Sequence, residues 1–282
     1  MSAQLDDQQH RDQSMCETMT SLALAAGVEI MRFFGPSCAR STKDDGSPVT
    51  VADQAAEAVI VRGLKQSFPD IAIVAEEQMA DGIAHGELGR EFFLVDPLDG
   101  TREFIAGRDE FTVNIALIRD CEPVIGVVYV PVKRQLFTGI RGDAKECTLD
   151  ENMNVTTTQN LQVRAMPGAP TIVASRSHRT ADTDAFIGKF EGAQILSVGS
   201  SLKFCMVARG SADLYPCFGR TMEWDTAAGQ AVLAAAGGRM RRADGSPFVY
   251  GKTVSDDAPF ANPWFIADSG DRAFLHASGT PS

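Results

Sequence analysis

The stretch FFLVDPLDGTREF, residues 92–104, constrains the fold more than any other part of this 282-residue chain. An apolar run, typical of a buried strand, ends in two acids, Asp96 and Asp99, followed by Gly100 and Thr101. Burying a carboxylate costs free energy unless the group is paired or coordinates a metal. We therefore predict that these acids end a core strand because they hold a cation there, with Pro97 stopping the strand at Asp96.

Two other segments place acids at the ends of apolar elements. The sequence IAIVAEE ends a predicted strand in Glu76, and EWDTAAGQAVLAAAGG begins a predicted helix at Asp225. Taken alone, Asp225 fits a helix N-cap, and Asp53 of TVAD fits a capping box. Taken together, carboxylates with no His or Cys among them suit Mg²⁺ or Mn²⁺ rather than zinc. Because helix N-termini bind phosphate oxygens, the pattern predicts metal-dependent phosphate ester chemistry.

The composition limits the partners and the location. A formal net charge of −11 argues against a nucleic acid polymer as partner. The six cysteines show no metal-binding spacing and indicate reduced thiols. No apolar run reaches the roughly 18 residues of a membrane span, and the polar start lacks the pattern of a signal peptide. We expect a cytoplasmic monomer or homodimer with no integral membrane segment; peripheral contact with the inner membrane stays compatible with the sequence.

Hydrophobic periodicity predicts the secondary structure. Strands are predicted at 71–76, 92–96, 111–118, 123–131, 135–140, 170–175, 194–199, 212–217 and 263–268. Helices are predicted at 14–34, 50–68, 181–190, 200–210 and 225–238. The short turn after the fourth strand predicts a hairpin and thus an antiparallel sheet in the first half, whereas strands and helices alternate in the second half.

The same pattern predicts how the chain is divided. The weakly patterned residues 141–169 are the best candidate boundary. We predict a disordered N-terminus (1–13), an α+β subdomain carrying the metal motifs (14–160), an α/β subdomain carrying substrate residues (161–268) and a flexible tail (269–282).

Three motifs carry a resemblance to a known family. DPLDGT (96–101), EE (76–77) and WDTAAG (224–229) resemble the motif set of the inositol monophosphatase superfamily of Mg²⁺-dependent, lithium-sensitive phosphatases. The order and spacing of all three are highly specific, and the resemblance runs from about residue 47 to residue 265. It implies a layered α/β/α/β/α sandwich.

Within that superfamily, four further segments resemble the CysQ-type 3′(2′),5′-bisphosphate nucleotidases: GSPVTVAD, GVVYVPV, SRSH and SVGSSLKFCMVARGSADLYP. Proteins of that type remove the 3′-phosphate of adenosine 3′,5′-bisphosphate, a by-product of sulfate assimilation. The resemblance implies the same substrate here, with two or three Mg²⁺ ions as cofactor and Mn²⁺ as a substitute.

The resemblance also implies roles for individual residues. One Mg²⁺ is expected at Glu76, Asp96 and the Leu98 carbonyl, and a second at Asp96, Asp99 and Asp225. Thr101, paired with Asp53, is expected to activate the attacking water beside Glu76, without a phosphoenzyme. The N–H groups of Gly100 and Thr101 are expected to hold the phosphate. His178, Ser200, Ser201 and Lys203 match positions that contact the nucleotide, although Ser200 also fits a simple helix cap and Lys203 an exposed helix residue.

One departure from the family pattern concerns substrate recognition. Related proteins usually read YPRxGPTMEWD, whereas this chain reads YPCFGRTMEWD. Cys217 therefore stands where Arg is expected, and Arg220 stands where Pro is expected. The long Arg220 side chain is a candidate phosphate contact in place of the missing Arg.

Two alternatives stay open from the sequence. The same metal chemistry could serve inositol 1-phosphate or fructose 1,6-bisphosphate, with SVGSSLKF and His178 favouring the nucleotide. A non-catalytic nucleotide or metal sensor is the alternative from another class. Phosphate release in Mg²⁺ separates an enzyme from a sensor.

Overall fold

The structure is a computed structural model that describes residues 2–35, 40–42, 48–83, 85, 87–254 and 257–270, with side chains described from residue 7 on, except at 40–42 and 48–50. The helices are α1 (Ser2–Phe33), α2 (Val51–Ser67), α3 (Glu76–Ala80), α4 (Thr101–Ile105), α5 (Ala181–Ile187), α6 (Leu202–Ala208) and α7 (Glu223–Ala235). The strands are β1 (Arg40–Thr42), β2 (Pro48–Thr50), β3 (Ala72–Ala75), β4 (Glu91–Asp99), β5 (Thr112–Arg119), β6 (Glu122–Val130), β7 (Gln135–Ile140), β8 (Asp143–Leu149), β9 (Val155–Asn160), β10 (Thr171–Ser175), β11 (Gln194–Val198), β12 (Leu214–Cys217), β13 (Arg239–Arg242) and β14 (Phe265–Asp268).

A seven-stranded sheet in the order β3-β4-β5-β6-β7-β8-β9 forms the first large layer. Its strands pair antiparallel except β3 and β4, which are parallel. Successive residues of a strand point to opposite faces, so Phe93 and Val95 pack under α1 and α2 while Phe92 and Leu94 face the other way. The apolar run of β4 is therefore buried on both faces, and the predicted hairpin between β6 and β7 is confirmed.

A five-stranded sheet in the order β11-β10-β12-β14-β13 forms the second large layer. Helices α6 and α7 lie between the two sheets, where their apolar side chains join residues of both sheets in one core. Helix α5 covers the outer face of the smaller sheet. The layers therefore follow one another as α/β/α/β/α, which confirms the predicted fold.

Two glycines let α7 lie close to the large sheet. Gly126 on β6 and Gly139 on β7 are direct partners across the strands, and both face α7. A Cβ at Gly139 would lie 2.5 Å from the Cα of Val232 and 2.7 Å from the Ala231 oxygen. Since the neighbours are helix backbone, a side chain here would push α7 away from the sheet. Helix α7 carries Asp225, so this contact also sets the position of the predicted metal site.

We expect Gly139→Ala to lower the free energy of unfolding by about 1–3 kcal/mol, the usual cost of overpacking a core. Urea denaturation of the metal-free protein measures this loss. The matched control is Gly168→Ala, because a Cβ at Gly168 would meet nothing within 4 Å. Equal stabilities of the two variants would contradict the close approach of α7.

The predicted disorder of residues 1–13 is wrong for residues 2–13, because α1 begins at Ser2. The reason is an ion pair that the helix pattern does not reveal. Asp12 is fully buried, and both of its oxygens accept hydrogen bonds from Arg119 at 2.7 and 3.1 Å. Arg119 also contacts Glu91, so the start of α1 is tied to β4 and β5.

Replacing Arg119 with Met should lower the free energy of unfolding by about 3 kcal/mol at pH 7, because Asp12 loses its main partner. Burial raises the Asp12 pKa, but hydrogen bonds from Arg119 and Gln8 outweigh burial and leave the pKa below its usual value. The stabilisation is therefore present above the unfolded-state pKa of Asp and is lost as the pH falls through the folded-state pKa.

Unfolding of Arg119→Met and the wild type, followed at pH 7 and near pH 3, measures this pair. The difference between the two proteins should shrink at the lower pH. Lys133→Met is the matched control, since Lys133 and Asp109 are both partly exposed and 3.5 Å apart. A difference for Arg119→Met that does not depend on pH would contradict the Asp12 assignment.

The segment 141–169 contains two strands that the sequence did not predict. Strands β8 and β9 extend the large sheet at its edge, and all six residues of β9 are exposed. An exposed polar strand has no hydrophobic alternation, so its pattern resembles that of a loop. The strands of the seven-stranded sheet all end by residue 160, and those of the five-stranded sheet all begin after it. Helix α7 packs against both sheets.

Three further findings bear on the predictions. Strand β4 continues through Pro97 to Asp99, with a register shift opposite β5, so the prediction that Pro97 ends the strand is wrong. The predicted tail lies outside the described residues from 271 on, and so does residue 1. Within the described part of the chain, no helix combines the length and apolar character needed to span a membrane.

Candidate metal centre and active-site cavity

Three carboxylates from three elements meet at one edge of the large sheet. Glu76 opens α3 directly after β3, Asp96 lies on β4, and Asp225 lies in the first turn of α7. Strands β3 and β4 are parallel, so their carboxyl ends share one edge. One oxygen from each of the three acids lies within 4.8 Å of the others. The predicted convergence of these acids is therefore present in the structure.

Asp96 is the most buried member of this acid cluster, with 1% of its surface exposed. Its Oδ1 accepts a hydrogen bond from the Leu98 N–H at 3.0 Å, whereas its Oδ2 has no hydrogen-bond partner in the part of the chain that the structure describes. Burial raises the pKa of Asp96 well above its usual value, and the charges of Glu76, Asp99 and Asp225 raise it further. A buried oxygen without a donor, surrounded by other acids, fits a divalent cation with oxygen ligands.

Asp225 occupies a different position at the start of its helix from the predicted N-cap. Helix α7 begins at Glu223, with Met222 as N-cap, so Asp225 is the third helical residue rather than the cap. Its Oδ2 accepts a hydrogen bond from the Met222 N–H at 2.8 Å, the reach-back contact of a capping box. Burial, followed by the charges of Asp99 and Glu76, raises the Asp225 pKa well above its usual value.

Asp99 lines the same cavity but is not part of the three-acid cluster. Its Oδ2 accepts hydrogen bonds from the Ser201 N–H at 2.6 Å and from the Asn114 amide at 3.3 Å. The Ser201 hydroxyl lies 2.8 Å from the same oxygen. Burial raises the Asp99 pKa, and the positive charge of Lys203 opposes that effect.

The residues expected to activate water surround this cluster. Asp53 is buried in the first turn of α2, and its charge contributes to the raised pKa of Asp96. Thr101 opens α4, and its hydroxyl donates to the Leu98 carbonyl at 3.2 Å. The pairing of Thr101 with Asp53 stays a prediction, and the side chain of Thr50, needed for the predicted capping box, lies outside the described side chains.

Gly100 has a backbone conformation that other residues rarely adopt, with φ 93°. A Cβ here would lie 3.1 Å from the Glu110 oxygen and 3.3 Å from the Phe111 Cα. The turn between β4 and α4 therefore requires glycine. This turn aims the start of α4 at the cavity next to the acids.

The acids line one side of a cavity of about 550 Å³, and the predicted substrate residues line much of the rest. His178, Ser200, Lys203 and Arg220 all border it, as do Cys217 and Tyr215. Ser201 is not among the lining residues; its side chain bonds to Asp99 and lies near Asp225 instead. The cavity is thus lined by the predicted site residues with the exception of Asp53 and Ser201.

Lys203 is buried, with 4% of its surface exposed, so the alternative of an exposed helix residue is wrong. Its ammonium donates to the Ser200 carbonyl and lies 5.1 Å from the centre of the Tyr215 ring. Burial lowers its pKa, and the charge of Asp99 counteracts this effect. The Ser200 hydroxyl accepts a weak bond at 3.4 Å from the N–H of Leu202, the first residue of α6, although Ser201 occupies the N-cap position.

The cavity differs from the family pattern at Cys217 and Arg220. Cys217 is buried, and burial raises its pKa, so a neutral thiol stands where Arg is expected. The neighbouring Tyr215 hydroxyl lowers the Cys217 pKa, but burial outweighs this effect. Arg220 lies at the rim with 63% of its side chain exposed and pairs with Asp257 at 3.1 Å.

Sequence reasoning missed Glu57 and Asn114. Glu57 is buried on α2, and its two oxygens accept the N–H groups of Glu77 at 2.7 Å and Gln78 at 2.9 Å, which anchors the helix that begins with Glu76. Burial raises the Glu57 pKa to about 7. The sequence contains a feature that could have identified each residue. Glu57 follows Asp53 by one helical turn, and Asn114 interrupts an apolar strand.

Removing one acid should stabilise the metal-free protein. We expect Asp96→Asn, measured at pH 7 with a chelator, to raise the free energy of unfolding by at least about 1.4 kcal/mol, the value of one pKa unit. Added Mg²⁺ or Mn²⁺ should raise the melting temperature of the wild type but not of the variant. Asp70→Asn, at an exposed site, is the control and should change neither quantity. A destabilised Asp96→Asn protein would contradict the repulsion argument.

Comparisons with known proteins agree with this site. The sequence model of the inositol monophosphatase family matches residues 11–269. A 3′(2′),5′-bisphosphate nucleotidase CysQ of Escherichia coli O6:H1 is 43% identical over 256 residues, covering 89% of this chain and 98% of the relative. The protein of the same name from Buchnera aphidicola is 36% identical over 261 residues, covering 90% of this chain and 94% of the relative.

A solved structure leads to the same family. The crystal structure of CysQ from Bacteroides thetaiotaomicron, described as a bacterial member of the inositol monophosphatase family, superposes with a TM-score of 0.73 at 34% identity. The superposition covers 92% of this chain and 98% of the Bacteroides thetaiotaomicron chain.

Proposed function

The chain belongs to the inositol monophosphatase family, and from this premise we propose that it hydrolyses the 3′-phosphate of adenosine 3′,5′-bisphosphate, giving AMP and phosphate. The observation that carries the proposal is the cavity itself, in which an acid cluster and the buried Lys203 ammonium face the same space. The curated relatives named 3′(2′),5′-bisphosphate nucleotidase support the choice of a nucleotide.

We propose Mg²⁺ as the natural cation, with Glu76, Asp96 and the Leu98 carbonyl at one site and Asp96, Asp99 and Asp225 at the other. The Oδ2 of Asp96, which finds no hydrogen-bond partner among the described residues, supports its role as the shared ligand. Bound divalent cations supply charge neutralisation at the phosphate and lower the pKa of coordinated water.

The chain's own residues then orient the attacking water. Thr101, with a hydroxyl directed at Leu98, and Asp53, buried close to Asp96, border the acid cluster. In the proposed mechanism the Thr101 hydroxyl turns from the Leu98 carbonyl to Asp53, passes its proton to Asp53 and accepts a proton from the attacking water. The water oxygen forms a bond to phosphorus as the bond to the 3′-oxygen breaks, and the 3′-oxygen takes a proton from solvent. Glu76 lies on the same side of the cavity and accepts a hydrogen bond from the second proton of the water. The attack is proposed to be direct, because no Ser or Cys of the sequence stands in a nucleophile motif such as G-x-S-x-G.

Binding of the nucleotide is proposed for the opposite side of the cavity. The N–H groups of Gly100 and Thr101 hold the phosphate that reacts, and the glycine conformation supports their approach. His178, Ser200 and Lys203 contact the rest of the nucleotide. Burial lowers the His178 pKa, with the charge of Arg102 as the next cause, so a neutral imidazole faces the ligand at pH 7. Arg220 reaches a terminal phosphate only by leaving Asp257.

We expect phosphate release from adenosine 3′,5′-bisphosphate in Mg²⁺ and none from the Asp99→Asn variant. The substitution keeps the size of the side chain but removes the charge of a ligand at the second cation site, so kcat/KM should fall at least about 1000-fold, or 4 kcal/mol. Inositol 1-phosphate and fructose 1,6-bisphosphate, assayed in parallel, test the substrate. Asp109→Asn, at an exposed acid, is the matched control.

Each outcome of this assay has a distinct meaning. Preference for the nucleotide supports the proposal, and preference for inositol or sugar phosphate would keep the chemistry but overturn the substrate. Binding of the nucleotide without phosphate release would indicate the sensor alternative. Near-normal activity of Asp99→Asn would overturn the assignment of Asp99 as a cation ligand.

A further inference from the structure

Two residues behind Asp99 form a small hydrogen-bond network. Asn114 is 1% exposed and Ser201 is 2% exposed, and neither is among the residues that line the cavity. The Asn114 amide donates to the Ser201 hydroxyl at 2.9 Å and to Asp99 Oδ2 at 3.3 Å. The Ser201 N–H donates to the same Oδ2 at 2.6 Å.

The Ser201 hydroxyl connects this network to a second acid. Its oxygen lies 2.8 Å from Asp99 Oδ2 and 2.6 Å from the Asp225 carbonyl, so its single proton is shared between the two acceptors. Asn114 is the strand partner of Asp96, on β5. Ser201 is the N-cap of α6, in the layer between the sheets. The network thus contacts or adjoins three of the five proposed cation ligands, Asp96, Asp99 and Asp225.

The network distinguishes the two oxygens of Asp99. Up to three donors converge on Oδ2, which fills the acceptor capacity of a single carboxylate oxygen. The three donors all bond to Oδ2, and no hydrogen bond from a described residue to Asp99 Oδ1 is present. Since Asp99 also borders the cavity, Oδ1 is the oxygen left for a ligand there. A carboxylate held in this way has one orientation.

We propose that Asn114 and Ser201 are positioning residues that fix Asp99 as a single-oxygen ligand of the second cation, rather than contacts to the nucleotide. The inference rests on the two-cation function proposed above. It replaces the expectation that Ser201 binds substrate. Ser200, which lines the cavity, keeps that role.

The experiment counts Mn²⁺ ions bound to the whole protein by electron paramagnetic resonance, with no substrate present. We expect two classes of site in the wild type. Ser201→Ala should raise the dissociation constant of the weaker class about 10-fold, the usual effect of removing a partner of a metal ligand, and leave the tighter class within about twofold. Ser200→Ala is the matched control and should leave both dissociation constants within about twofold.

A second variant covers the case in which Ser201→Ala fails to fold. Asn114→Val places a β-branched residue, which strands favour, in a buried strand. It also removes the Asn114 Oδ1, which has no partner among the described residues. It should weaken the same class of site by about 10-fold. Excess Mg²⁺ should restore kcat in both variants with an unchanged KM for the nucleotide, whereas loss of a substrate contact would raise KM.

The outcomes separate this inference from the proposed function. One bound Mn²⁺ in the wild type would overturn the two-cation function and this inference with it. Two bound ions with unchanged affinities in both variants, or with both classes weakened equally, would overturn this inference alone. A loss of stability with an unchanged ratio of the two dissociation constants would show a merely structural role.

Discussion

Repulsion among buried carboxylates is the interaction on which the arrangement of this protein depends. Glu76, Asp96 and Asp225 present oxygens within 4.8 Å of one another, and Asp96 is almost fully buried. Such a cluster opposes folding unless the elements that carry it are held by other contacts. Strand β4 supplies them, because its side chains enter separate apolar cores on both faces of the sheet. The cost of the acids is thus offset by burial on either side of them.

The rigidity of the supporting elements follows from the same constraint. Three of the four acids at the site accept a hydrogen bond from a backbone N–H, which fixes the carboxylate without neutralising it: the Leu98 N–H bonds Asp96, the Met222 N–H bonds Asp225, and the Ser201 N–H bonds Asp99. Backbone donors orient a carboxylate while leaving one of its oxygens for a ligand. The close contact of α7 with the glycines of β6 and β7 has the same effect on a larger scale, since a shift of the helix would move Asp225.

The sequence predicted the parts of the fold that have strong periodicity. The apolar strands and the amphipathic α2 lie where they were predicted, and the motifs by themselves pointed to the three acids of the cluster. The failures have physical causes. The helix at residues 2–13 was not predicted, because the partner of Asp12 is Arg119, which lies far away in sequence. Strand β9 has the sequence pattern of a loop because both its faces are exposed. Ser201 was predicted to contact the nucleotide from the resemblance of the segment around it. The direction of its side chain is set instead by the turn at Ser200, where φ is 50°.

The choice of substrate depends on charge at the other side of the cavity. The thiol of Cys217 is neutral, because burial raises its pKa more than the neighbouring Tyr215 hydroxyl lowers it. The buried positive charge near this point therefore comes from Lys203, whose own pKa is lowered by burial. Arg220 is exposed at the rim and already paired with Asp257, so its contribution is screened by salt. In the proposed function a second phosphate would be held by one buried ammonium and an exposed guanidinium rather than by a fixed fork. Discrimination between nucleotide and sugar phosphates would then depend mainly on Lys203 and His178.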